Sequence, residues 1–189
     1  MRTRHEMGDV RLHESNDNIM TTHRILVLTG ASGAGKTTIL NALKAQNLAG
    51  VAYMHFDDIG VPSTEDMHRL YGGPEAWQRH ALNTWARRIS EPRDGVRAVF
   101  LDVQVRPSEV REAFRQRGVD NIDIVLVDCD YGERNRRLIE DRGQPELATA
   151  QMDQWAAYLR GQADALGLAI IDTAELSIEE AAKRLTGLV

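Results

Sequence analysis

The sequence predicts an α/β fold, a parallel sheet packed between helices, on three grounds. Five short runs are almost continuously apolar: Arg24–Thr29, Val51–Phe56, Ala98–Leu101, Ile122–Val127 and Leu168–Ile171. Strands buried on both faces read this way, whereas half-exposed strands alternate. Stretches of helical periodicity separate the runs, as in architectures that cover a parallel sheet on both sides. Finally, Pro62, Pro74, Pro92, Pro107 and Pro145 all fall outside the runs, at loops or helix starts.

The first run leads into Gly30-Ala31-Ser32-Gly33-Ala34-Gly35-Lys36-Thr37, and a helix is predicted from Thr37 to Gln46 with Ile39, Leu40 and Leu43 inward. Strand, glycine loop and helix are the context in which G-x-x-x-x-G-K-[ST] means a phosphate-binding loop. Glycines let consecutive N–H groups turn inward around an anion at a helix N-terminus. Only Lys36, Lys44 and Lys183 occur in the chain, and one of them falls at the required position. Residues Gly30 to Thr37 with Thr38 are therefore the expected nucleotide contacts; Lys36 would reach the outer phosphates and the Thr37 hydroxyl would ligate Mg²⁺.

Two connections exceed what a crossover needs, Asp57 to Arg97 and Asp128 to Gly167. Both carry helical patterns, including one from Glu75 to about Ile89 with Trp77, Ala81 and Trp85 on a stripe best read as core. Ser63-x-x-Asp66 and Ser177-x-x-Glu180 resemble capping boxes. Ligands of open α/β sheets bind beyond the carboxyl ends of the strands, so residues 57–97 are expected to form an acceptor-side insertion and 131–150 a lid region.

The whole of 23–189 reads as one domain, with 1–22 a polar, mobile N-terminal tail and Met20 a second candidate start. A net charge of −5 argues against general nucleic-acid binding. No apolar stretch approaches the ~20 residues of a membrane span. Cys129, the one cysteine, cannot form an internal disulfide and suits a reducing, cytoplasmic setting; it reads as a small strand-end residue. The six histidines show no metal-ligand spacing.

Three groups carry candidate chemistry. Asp57-Asp58 ends the second run; either carboxylate could take a proton from a substrate hydroxyl or hold Mg²⁺ through water. Asp57, coming first, is assigned to the metal side and Asp58 to the base. Asp102 closes Ala98–Leu101 in the Walker-B manner and is expected on the Mg²⁺ shell, with Arg106 beyond it as a contact to an anionic substrate group. Among Arg134, Arg136, Arg137 and Arg142, the last two flank the lid turn and are the candidates to neutralise charge during transfer.

With these residues in view the chain resembles, from 24 to about 187, the nucleoside-monophosphate-kinase-like branch of P-loop proteins, which includes adenylate, shikimate and gluconate kinases and chloramphenicol phosphotransferase. The resemblance implies a three-layer αβα fold with a five-stranded parallel sheet in the order 2-3-1-4-5, and puts Thr173 in a loop beside the adenine ring. It implies an ATP- and Mg²⁺-dependent phosphotransferase. Asp57-Asp58 resembles members that phosphorylate a hydroxyl, while Asp102-x-x-x-Arg106 resembles nucleotide kinases. A hydroxyl-bearing anionic metabolite or nucleotide would satisfy both. The short Asp141–Leu147 lid matches no single subfamily. The alternatives are an NTPase switch acting on a protein or RNA, in which Gln104 would position water, and an antibiotic-modifying phosphotransferase.

Overall fold

The structure, a computed structural model, describes residues 23–189, so the predicted tail at 1–22 lies outside the described residues. Five strands, β1 (Arg24–Thr29), β2 (Val51–His55), β3 (Ala98–Val103), β4 (Asp123–Asp128) and β5 (Ala169–Asp172), form one sheet in the order β2-β3-β1-β4-β5. Every ladder is parallel. The expected order and three-layer architecture are both present.

Side chains alternate across the pleat, so each strand feeds two cores. Ile25, Val27, Val99 and Leu101 face α3 (Pro74–Ser90) and α4 (Pro107–Arg115), where they meet Trp77, Trp85, Ile89 and Phe114. Leu26, Leu28, Phe100 and Val125 face α1 (Lys36–Ala45) and α7 (Ile178–Thr186) on the other side, against Leu40, Leu43 and Leu185. Helix α6 (Ala150–Leu166) packs Leu159 and Ala163 over Leu126 beside α4.

Strand bounds differ from expectation where side chains, not hydropathy, decide. β2 stops at His55, because Phe56 opens a 3₁₀ turn, Phe56–Ile59. β3 runs two residues past Leu101, so Asp102 lies inside a buried strand, paired in register with Leu28 and His55. A carboxylate there is tolerated because both its oxygens have partners. The edge strands β2 and β5 are only partly buried, since each is flanked on one side alone.

Helix ends follow local chemistry. Ser63 caps α2 (Thr64–Tyr71), with Gly72 closing it in the left-handed region. Ser177 and Glu180 form a complete capping box at α7, whereas at α2 the shorter Asp66 carboxylate bonds the Ser63 hydroxyl instead. The first long connection holds the 3₁₀ turn, α2 and α3. The second holds α5 (Tyr131–Arg136), a π turn at Arg137–Asp141, a 3₁₀ turn at Pro145–Leu147, and α6.

Candidate active site

The glycine loop emerges from the C-terminal end of β1, between β3 and β4, and α1 begins at Lys36 itself. Gly30 must be glycine: a Cβ there would lie 2.2 Å from the Val127 carbonyl oxygen of β4. Gly35 caps α1 at φ 96°, in the left-handed region that side chains avoid. Lys36 Nζ folds back over the loop and donates to the carbonyls of Gly30 at 2.8 Å and Ala31 at 3.0 Å. Desolvation of this ammonium pushes its pKa down to about 8; Arg142 adds to the shift, while Asp102 and Asp57 oppose it.

Thr37 Oγ1 donates to Asp102 Oδ2 at 3.0 Å, so two of the three residues expected on the metal side are adjacent, while Asp57 lines the cavity beside them. The other Asp102 oxygen lies 3.2 Å from His55 Nδ1. These hard oxygen donors fit Mg²⁺, which is typically held by one or two protein groups with water and phosphate completing its octahedron. No denser His, Cys, Asp or Glu cluster suited to a metal occurs among the described residues.

Lys36, Thr37 and Arg142 line two cavities at once. One, about 760 Å³, runs along Thr38 and α7, bounded by Arg137, Thr173 and Ser177. The other, about 460 Å³, lies towards β2 and α3 and is lined by Asp57, Asp102, Gln104 and Trp77. Beyond it, sharing Gln78 and Gln104, a groove of about 720 Å³ reaches Arg106, Trp155 and Tyr158.

The arginines separate by role. Arg137 donates to the Thr173 hydroxyl and carbonyl, both at 2.8 Å, and to Glu133 at 2.9 Å. The Thr173 hydroxyl in turn lies 2.9 Å from the Ala34 carbonyl, tying the β5 loop to the glycine loop. Arg134, three residues earlier in α5 (Tyr131–Arg136), is instead fully buried and ion-paired with Asp153 of α6. Arg136 is the solvated member, held by Glu133 and Asp141. Arg142 follows the π turn, its N–H bonded to the Arg137 carbonyl.

The two adjacent aspartates point apart. Phe56 is buried edge-on against Trp77, and its carbonyl accepts from Trp85 Nε1 at 2.9 Å, which anchors the 3₁₀ turn to α3. That anchor leaves Asp57 lining the cavity. The Asp58 carboxylate turns back to accept the His55 backbone N–H at 3.3 Å, capping the turn. Arg106 lies in the outer groove, bonded to Glu109 at 3.1 Å and stacked over the rings of Trp155 and Tyr158. Cys129 is buried just after β4, and burial pushes its thiol pKa up, away from the thiolate form that nucleophilic chemistry uses.

Sequence reasoning missed His55, Gln78, Trp155 and the Arg134–Asp153 pair. A histidine at a strand end beside a Walker-B-like carboxylate was the one available signal; the others depend on distant segments meeting. Gln104 was noted, but not that Ser32 Oγ donates to its Oε1 at 2.8 Å.

No protein-family model matches the sequence, and a search of curated proteins returns no match. Solved structures do match. A shikimate kinase from Acinetobacter baumannii in complex with shikimate is 18% identical, covers 88% of this chain and 93% of its own, and superposes with a TM-score of 0.59. A gluconokinase from Sinorhizobium meliloti is 16% identical, with 89% and 94% covered and a TM-score of 0.61. The Deinococcus radiodurans tunicamycin resistance protein is 19% identical, with 88% and 95% covered and a TM-score of 0.61. With its glycine loop, all-parallel sheet and 2-3-1-4-5 order, the chain has the nucleoside-monophosphate-kinase-like P-loop fold.

Proposed function

We propose that the protein is an ATP-dependent, Mg²⁺-requiring phosphotransferase acting on a hydroxyl of a small molecule. The observation that carries this reading is that a nucleotide-sized cavity and an acceptor-side cavity meet at Lys36, Thr37 and Arg142. Thr37 and Asp102 would hold Mg²⁺, and residues 30–38 with Thr173 and Arg137 would hold ATP. When bound, Mg²⁺-ATP supplies the phosphoryl group and its charge-neutralising metal. Asp57 takes the proton of the acceptor hydroxyl as that oxygen bonds to phosphorus and the bond to ADP breaks, giving a phosphomonoester and ADP. Its position on the cavity favours Asp57 over Asp58 as the base, the reverse of the order expected from sequence. Lys36 and Arg142 bear the charge that spreads over the transferring group. The segments 57–97 and 131–150 would enclose acceptor and donor and limit hydrolysis.

The fold of the shikimate kinase and gluconokinase neighbours supports a small-molecule acceptor. Gln104, which a hydrolytic switch would use to orient water, has its carbonyl oxygen engaged by Ser32. The test is ADP formation with and without hydroxyl compounds, for the native protein and for Lys36→Ala. Removing the ammonium is expected to cost at least about tenfold in turnover without lowering the melting temperature. Native turnover by that variant rejects the assignment.

A further inference from the structure

Resting on that phosphotransfer reading, we propose that the acceptor is a neutral, polyhydroxylated glycoside of two parts. One part presents its hydroxyl to Asp57, and the other fills the groove between Gln78–Gln104 and Trp155–Tyr158. The groove adds about 720 Å³ to the 460 Å³ beside Asp57, and on its own lies within the range of about 300–1,000 Å³ usual for small-molecule pockets. A one-ring acceptor at Asp57 would leave it unused.

Its lining selects against an anion. Glu75, Glu109 and Glu146 oppose only Arg79 and Arg106, and the Arg106 guanidinium is bonded to Glu109 and stacked over two rings. A carboxylate or phosphate entering here would meet a net negative surround with one of its two cations engaged. Four amides, Gln78, Gln104, Gln151 and Gln154, line the same space. An amide both donates and accepts, so it can meet both halves of a hydroxyl while adding no positive charge for an anion. Leu147, Met152, Trp155 and Tyr158 line it too, apolar surface suited to the carbon face of a sugar or to a nucleobase, with the Arg106 guanidinium over part of the two rings. At the waist, Gln104 is held through Ser32 Oγ on its side chain and Gln78 Nε2 on its carbonyl. That grip links acceptor seating to the phosphate loop. The expected anionic acceptor, gripped by Arg106, is therefore replaced by an uncharged one.

The experiment pairs neutral and charged acceptors on one scaffold: maltose with maltobionate, lactose with lactobionate, uridine with uridine monophosphate. Mg²⁺-ATP turnover and product phosphorylation are measured for each. The neutral member of at least one pair is expected to be preferred by tenfold or more in kcat/KM. Tyr158→Ser, at a residue 43% exposed, and Trp155→Leu are expected to raise KM for that acceptor five- to tenfold with kcat retained. Tyr158→Ser keeps the test valid if Trp155→Leu, whose ring also packs on the Leu126 cluster, fails to fold. Preference for the charged member, lost on Arg106→Gln, overturns the inference and leaves the phosphotransferase intact. Equal KM in Tyr158→Ser and the native protein also overturns it. If no compound of either set is phosphorylated although equilibrium dialysis shows Mg²⁺-ATP bound, the inference falls, while the phosphotransfer reading stands or falls on ADP formation with other hydroxyl compounds and on Lys36→Ala.

Discussion

Two neighbouring carboxylates, Asp57 and Asp58, illustrate how a single backbone bond decides a role. Asp58 spends an oxygen on the His55 N–H, while Asp57 faces the cavity. Asp57→Asn should reduce transfer by roughly two to four decades, the usual range for a general base, with Mg²⁺-ATP affinity retained. Asp58→Asn should keep its capping bond through the amide oxygen and lose less than about threefold in kcat, because it removes no proton acceptor from the cavity. Steady-state kinetics on both variants decides the pair, and the larger loss in Asp58→Asn would restore the order read from sequence. Asp102→Asn tests a different function. It keeps a partner for Thr37 but removes the one formal charge among the two proposed Mg²⁺ ligands, so the Mg²⁺ concentration for half-maximal activity should rise at least about tenfold. A magnesium titration at saturating acceptor measures this.

At the scale of elements, the segment carrying Arg137 and Arg142 is a helix that changes pitch. α5 gives way to a π turn at Arg137–Asp141, an insertion common at functional sites. Its base is fixed by Arg134, fully buried and paired with Asp153 on α6, while its tip carries exposed Arg142. Asp153→Ala leaves that guanidinium without a counter-charge. Breaking a fully buried pair costs about 3–5 kcal/mol; Asp153 is 26% exposed, so a smaller loss of roughly 2–3 kcal/mol is expected, read as a lower urea midpoint with an unchanged slope. The same variant should weaken ATP binding, since α5 also carries Glu133, which holds Arg137 against Thr173. A native urea midpoint would mean that Arg134 finds another partner.

Across the whole molecule, Lys36 couples pH to stability and to ligand binding. Its pKa falls from 10.5 to about 8 on folding, chiefly through desolvation. Between those values the folded protein binds fewer protons than the unfolded chain, so this group makes stability rise with pH across that window. Below about 8 its destabilising cost is complete and constant. Phosphate favours the charged amine, so nucleotide binding near pH 8 should draw in roughly half a proton. Calorimetry in two buffers of different ionisation enthalpy measures that uptake, which Lys36→Met should abolish. Affinity for ATP should fall as pH rises through 8, approaching about one decade per pH unit; a flat profile from pH 7 to 9.5 would place the folded pKa outside that range.

Much of this protein is local chemistry and therefore readable along the chain. Apolar runs marked all five strands to within two residues, because covering of both faces, near complete in β1, β3 and β4 and partial in β2 and β5, leaves little room for polar alternation. The glycine loop was legible as well. Its requirements are backbone conformation and close approach, and Gly30 and Gly35 express those requirements in their own identity. Ser63 and Ser177 announced helix starts for the same reason. Tertiary structure alone decided which of two adjacent aspartates faces the cavity, since Trp77 and Trp85 anchor the turn from some twenty to thirty residues away. It also buried Arg134 while leaving Arg136 in water, and bonded Arg106 to Glu109 beside rings that lie about fifty residues further along. Residue type states what a side chain can do; which partner it meets depends on where distant backbone segments pack.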